Sequence, residues 1–150
     1  MHMNLKVEDL INKYQLEAHP EGGFYTRIYK HKEDYGSAIL YLLGKEDRSH
    51  FHKIGSDEIW NFYEGGTLTL YILSPKGSLE EITLNQENRF HIVPAEHWMA
   101  AEVTRGEYAS VNCVVFPAFR FEKWCLADTS LRERIPKRLW HLIFPESDNK

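Results

Sequence analysis

Cysteine is nearly absent from this sequence: Cys113 and Cys125 are the only two in 150 residues. That argues against a disulfide scaffold and for two buried, reduced thiols in a cytoplasmic protein. No apolar run approaches the ~20 residues that a membrane span needs. The start, "MHMNLKVEDL", lacks the basic flank and apolar centre of a secretory signal. A cytoplasmic location with no membrane partner is therefore expected. Basic charge is also short, since 18 Lys and Arg against 22 Asp and Glu leave a net charge of −4. A general nucleic-acid binder normally shows a basic face, so no nucleic-acid partner is expected. The locally basic "RERIPKR" is short and reads as the solvated face of terminal helices. There is no phosphate loop, nucleophile elbow or zinc-protease motif, and no internal repeat, low-complexity segment or linker.

What the sequence does have is apolar and aromatic content, 43% and 13%. This is enough for one domain, residues 1–150, to fold around its own core without disulfides or a structural metal. Val7, Leu10, Ile11 and Tyr14 fall at helical spacing, with Glu8 and Asp9 where a helix dipole favours them, which predicts a helix over about 5–16. From about 24 to 127 the chain consists of short runs rich in β-branched and aromatic residues, among them "FYTRIYK", "SAILYLL", "EIWNFY", "LTLYIL" and "YASVNCVVF". Turn formers such as "KEDYG", "EGG", "SPKG", "NQEN" and "TRGE" separate them. So many strands in so short a stretch predict an all-β sandwich or barrel. The tail over about 130–144 reads as helix split by Pro136, and "PESDNK" as a frayed end.

The stretch "SHFHKIGSDEIWNFYEGG" carries the densest chemistry. Residues two apart on a strand share a face, so His50 and His52 are expected to point together. Glu58, beyond the turn "KIGSD", starts a returning strand that can face them, with Trp60 and Phe62 on the same side. Two imidazoles and a carboxylate, His50, His52 and Glu58, are a common ligand set for Fe, Mn, Ni or Zn with open positions. The same pattern also suits two solvated histidines on a half-exposed strand.

Gly44, His50, His52, Glu58 and Gly65 together resemble the first motif of the cupin superfamily. The gap between His52 and Glu58 is one residue longer than that pattern. Asp57 restores the gap but spoils the distance to Gly65, and Glu58 is preferred because it keeps parity with Trp60 and Phe62. In the region of the second motif only Pro94 is kept. Glu96 stands for a glycine, Val103 for an asparagine, and Met99 for the fourth ligand histidine. A thioether suits a hard divalent metal poorly, and His97 is the alternative on the same strand parity. Tightly bound metal is accordingly not expected.

Three segments, "HPEGGFYTRIY", "FHKIGSDEIWNFYEGG" and "FPAFRFEKWCLAD", resemble a narrower branch, the cupin-5 family or DUF985, from about Leu16 to Pro136. The resemblance implies a cupin jelly-roll β-barrel (double-stranded β-helix) with short terminal helices, usually a homodimer. Its fold is similar to those of sugar-nucleotide epimerases and metal-dependent cupins, with no settled reaction. It also implies that His52, Ser56, Asp57, Glu58 and Trp60 gather at the barrel's open end.

Beyond these, "HPEGG" reads as a tight turn, Glu21 as its cap or a group reaching a ligand, and Arg27 as a partner for an anionic substrate or another subunit's acid. Cys113 reads as a small core residue. Three functions fit. The preferred one is an epimerase- or isomerase-type enzyme acting on a small, carbohydrate-like molecule, with His52 as base and Glu58 or Asp57 as its partner. His50, Trp60, Phe62, Ser56, His97 and Met99 are then the expected ligand-binding residues. The others are a metal-dependent oxygenase or isomerase and a non-catalytic ligand-binding or sensor module.

Overall fold

The computed structural model describes residues 5–144. It opens with helix α1 (Leu5–Tyr14), which buries Val7 and Leu10 and exposes the residues between them. Nine strands follow: β1 (Glu17–Ala18), β2 (Phe24–Lys30), β3 (Ser37–Gly44), β4 (Arg48–Lys53), β5 (Asp57–Leu73), β6 (Leu79–Leu84), β7 (Phe90–Val93), β8 (Trp98–Phe116) and β9 (Cys125–Leu126). Every pairing is antiparallel. The result is a curled, mostly β barrel, as the strand count predicts, with the jelly-roll form that the family resemblance implies.

The two long strands organise it. One half of β8 runs between β3 and the first half of β5, and β7 flanks β5 beyond. The other half of β8 runs between β4 and the second half of β5, which β6 flanks. Two half-sheets thus share β5 and β8, and both strands bend where the register slips around Gly65–Thr67 and Arg105. Glycine is required at that bend. A Cβ on Gly66 would lie 1.9 Å from the Arg105 carbonyl oxygen, and Gly65 has φ +113°. "EGG" and "TRGE" are therefore not loops between strands, as the sequence suggested, but corners inside continuous ones.

Three apolar clusters hold the sheets. The barrel interior is filled by Trp60, Phe62, Leu68, Leu70, Met99 and Val111 with their neighbours. Helix α1 covers Leu40 and Leu42 on the outer face of β3. The C-terminal segment covers Phe51, Tyr71, Leu73 and Ala100 on the other outer face. Each side chain fully buried in this way contributes about 1.5–3 kcal/mol.

The tail does not form the expected helices. It makes two 3-10 turns, Thr129–Arg134 and Lys137–Leu142, either side of Pro136, because six residues on each side are too few for stable α turns. The expected frayed end, residues 145–150, lies outside the described residues. No helix among the described residues is long and apolar enough to cross a membrane.

Candidate active site

The site is assembled by two local irregularities. The first is the "HPEGG" turn, in which the Gly22 amide bonds the His19 carbonyl and the His19 amide the Gly23 carbonyl, both at 2.9 Å. Gly22 (φ +115°) lies so close to β4 that a Cβ would fall 1.7 Å from the Arg48 carbonyl oxygen. This contact brings the Glu21 carbonyl to the His50 backbone amide and to His50 Nδ1, each at 2.8 Å. The second is a bulge in β4, whose register against β8 runs Ser49↔Ala101 and then His52↔Met99. Three steps on β4 match two on β8. Ser49 and His52 consequently share the inner face, and His50 does not join them. The parity expected for His50 and His52 is corrected by that one extra residue.

Glu21 is the hub. Its Oε2 accepts from Ser49 Oγ at 3.0 Å, and its Oε1 accepts from Trp124 Nε1 at 3.2 Å. His52 Nε2 lies 3.3 Å from the same Oε1, with both side chains buried. His52 Nδ1 faces the His50 carbonyl oxygen at 2.8 Å and so carries a proton. The Nε2 contact is then attractive only with a further proton between imidazole and carboxyl. His19 Nδ1 accepts the Glu21 amide at 3.1 Å, which leaves its proton on Nε2. Burial pulls its pKa below the ordinary histidine value, against the Glu21 charge, and His52 adds to the fall. His19 is therefore a neutral donor.

A second carboxyl, Glu58, lies on the inner face of β5. Burial pushes its pKa up to about 8, and the Glu21 carboxylate adds to the rise. The Cys113 thiol and Trp60 indole oppose it as donors, although Trp60 Nε1 itself has no hydrogen bond of ordinary geometry. At neutral pH Glu58 is protonated. Cys113 is pushed well above the usual thiol range by burial, and then by Glu58 and Glu21, so it is no thiolate nucleophile. Tyr41, buried against Trp60 with ring centroids 6.1 Å apart, donates its hydroxyl to the Gly22 carbonyl.

His19, Glu21, His52, Glu58 and Cys113 all line one cavity of about 410 Å³, a size suited to a small metabolite. Tyr25, Arg27 and Lys30 line it from β2, and Phe119 and Phe121 wall it from the segment after β8.

The other expected residues lie elsewhere. Asp57 is exposed and accepts the Ala95 amide at 2.8 Å, which fixes a turn. Ser56 bonds the Pro117 carbonyl at 2.8 Å and lines a separate cleft with Arg120 and Lys123. Trp60, Phe62 and Met99 are buried in the barrel core and do not line the cavity. His50 packs edge-on against Phe144, and His97 turns Nδ1 to the Ala95 carbonyl at 3.3 Å.

A divalent metal of the kind some cupins carry does not fit this donor set. His50 Nδ1 is committed to the Glu21 carbonyl and His52 Nδ1 to the His50 carbonyl. Among the described residues, no group of three or more His, Cys, Asp or Glu side chains is arranged to hold an ion. The set His50, His52 and Glu58 does not form one.

Sequence reasoning passed over His19, Ser49 and Trp124, and treated Glu21 only as one of two readings of a turn. The available signal was that "HPEGG" and "FEKWC" each bring a polar side chain in a distinctive segment. No spacing rule links positions 21, 49, 52 and 124.

No curated protein matches the chain. Among solved structures, a protein from Shewanella oneidensis is 30% identical, covers 97% of this chain and 100% of its own, and superposes with a TM-score of 0.87. A hypothetical protein from Leishmania major is 22% identical over 91% of this chain and 95% of its own, with a TM-score of 0.80. Oxalate decarboxylase from Bacillus subtilis shares the fold alone, at 14% identity over 83% of this chain and 33% of its own, with a TM-score of 0.64. The sequence pattern of the family described as Cupin superfamily (DUF985) matches residues 8–127. That is most of the chain, and the chain belongs to the DUF985 family of the cupin superfamily.

Proposed function

We propose that the cavity is a proton-transfer site for a small polar, carbohydrate-like molecule, of the epimerase or isomerase type. The observation that carries this reading is the presence, in one cavity, of the buried Glu21–His52 pair and a second buried carboxyl, Glu58. Groups whose surroundings divide them into proton acceptor and proton donor are what acid/base chemistry at neutral pH requires.

In this reading a carbon next to the substrate's carbonyl gives its proton to the Glu21–His52 pair. The electron pair moves into an enediol, and the carbonyl oxygen takes the proton of Glu58. An enediol hydroxyl then gives its proton back to the Glu58 carboxylate as the carbonyl re-forms, and the carbon takes a proton: on the other face of the same carbon this yields an epimer, on the neighbouring carbon an isomer. No oxidant, reductant or metal is consumed. His52 is thus half of a pair whose carboxylate is Glu21, in place of the Glu58 or Asp57 partner expected from sequence.

Deuterium uptake tests this with the substrate still unidentified. The protein is incubated with a metabolite extract in deuterated water, and mass spectrometry reads compounds that gain one non-exchangeable deuterium. At least one small carbonyl compound should gain it with the wild type and not with Glu21→Gln or Glu58→Gln. An extract in which nothing gains deuterium overturns the reading.

A further inference from the structure

The inner face of a barrel strand is ordinarily apolar, yet β2 places two cations there. Its register against β3 pairs Tyr25 with Tyr41 and Arg27 with Ile39, then slips and pairs Lys30 with Ser37. The bulge at Ile28 changes the parity. Without it Tyr29 would follow Arg27 on the inner face, and with it Lys30 does. Bulges beside sites commonly re-aim a side chain in this way. Both cations line the cavity. Arg27 forms no ion pair with any described residue, and Lys30 has only the half-exposed Asp34 at 3.3 Å, a pairing of little strength.

Inward-pointing charge can also serve to guard an edge strand against pairing with another chain. That role asks only for charge. It does not ask for two cations brought by a bulge to the mouth of a cavity whose inner end holds Glu21 and Glu58. An arginine fork is suited to a carboxylate or phosphate. A third charge at the mouth, Glu17, lies on β1 opposite Tyr25 and also lines the cavity. Two cations against this one carboxylate leave the opening a net charge suited to a single anionic group.

We propose that the ligand of this cavity carries one anionic group, a carboxylate or a monophosphate. Arg27 and Lys30 hold that group at the mouth while the hydroxyl- and carbonyl-bearing end reaches Glu21 and Glu58. The inner half of this statement rests on the proton-transfer reading, and the outer half stands on β2 alone. Arg27 is the specificity-determining residue. Phe121, half exposed beside the same opening, offers a flat apolar wall between the two ends.

Calorimetric titration of the full chain with D-glucose, D-glucuronate, D-glucose 6-phosphate and uridine diphosphate tests the outer half. Glucuronate or glucose 6-phosphate should bind at least tenfold tighter than glucose, and which of them binds tighter identifies the anion. Uridine diphosphate should bind more weakly than the better of the two. Arg27→Met should remove the advantage over glucose, whereas Arg27→Lys keeps part of it. Because Arg27 is exposed, both variants should show the wild-type circular dichroism spectrum, and Arg27→Lys decides the matter if the other does not fold. Equal binding of glucose and the charged probes overturns the proposal. So does an advantage that survives Arg27→Met, tightest binding by uridine diphosphate, or no binding of any probe at millimolar concentration. An Arg27-dependent preference for anions with no deuterium uptake leaves this site standing and removes the proton-transfer reading. Deuterium uptake without the preference does the reverse.

Discussion

Glu58 gives the residue scale its sharpest consequence. Its pKa rises from an ordinary 4.5 to about 8 on folding, so the folded chain holds a proton that the unfolded chain releases. The contribution is fully present below pH 4.5, is lost as the pH climbs, and is gone above about 8. Each pH unit of that displacement is worth about 1.4 kcal/mol, so several kcal/mol of stability depend on the proton. Glu58→Gln copies the neutral acid. Urea denaturation should find it equal to the wild type near pH 4 and more stable by several kcal/mol at pH 9. A variant that tracks the wild type across that range would show that Glu58 is ionised throughout. Of the two adjacent carboxylates, parity with Trp60 and Phe62 favours Glu58 from sequence. Glu58 is indeed the buried one and Asp57 the exposed one. Glu21 was legible only as part of a turn, because its importance comes from Ser49, His52 and Trp124, none of which is near it in the chain.

At the scale of elements, the expected strands form where β-branched and aromatic runs promised them. Apart from the tail, whose expected helices are 3-10 turns, the errors fall at the corners and irregularities. A glycine pair between two apolar runs looks the same in sequence whether the chain turns back or bends and continues. The neighbouring strand decides, and here Gly66 lies against Arg105. The bulges in β2 and β4 are likewise invisible to a period-two reading, yet they turn Lys30 to the cavity's opening and His52 to its buried end. Gly66→Ala should cost about 3 kcal/mol or more in urea denaturation, since the methyl would meet backbone that cannot move alone. Gly77→Ala is the control. It has φ +92° but nothing within 4 Å of the new methyl, so it should cost only about 1–2 kcal/mol of backbone strain. Equal losses at the two positions would contradict a corner held by close backbone contact.

For the whole molecule, the strand pattern and the family resemblance gave the barrel, because alternation and burial fix it. They did not give the cavity's membership. Positions from 19 to 124 meet there only once the sheet has closed. The outer edge of β2 also belongs to this scale. Past the short pairing with β1, residues Thr26–Lys30 have no strand on that side among the described residues, and Ile28 and Tyr29 are exposed. An open edge with apolar side chains invites a second copy, and we propose a homodimer. Sedimentation at micromolar concentration should give twice the chain mass, and a monomer would count against it. The proposed chemistry depends above all on a neutral carboxyl, Glu58, held beside the buried Glu21–His52 pair in one barrel. The most direct measurement of that arrangement is a carbon-13 NMR titration of the glutamate side-chain carboxyls in the full chain. One carboxyl should titrate near pH 8, and its resonance should vanish in Glu58→Gln. A spectrum in which every glutamate has ionised by pH 6 would contradict it.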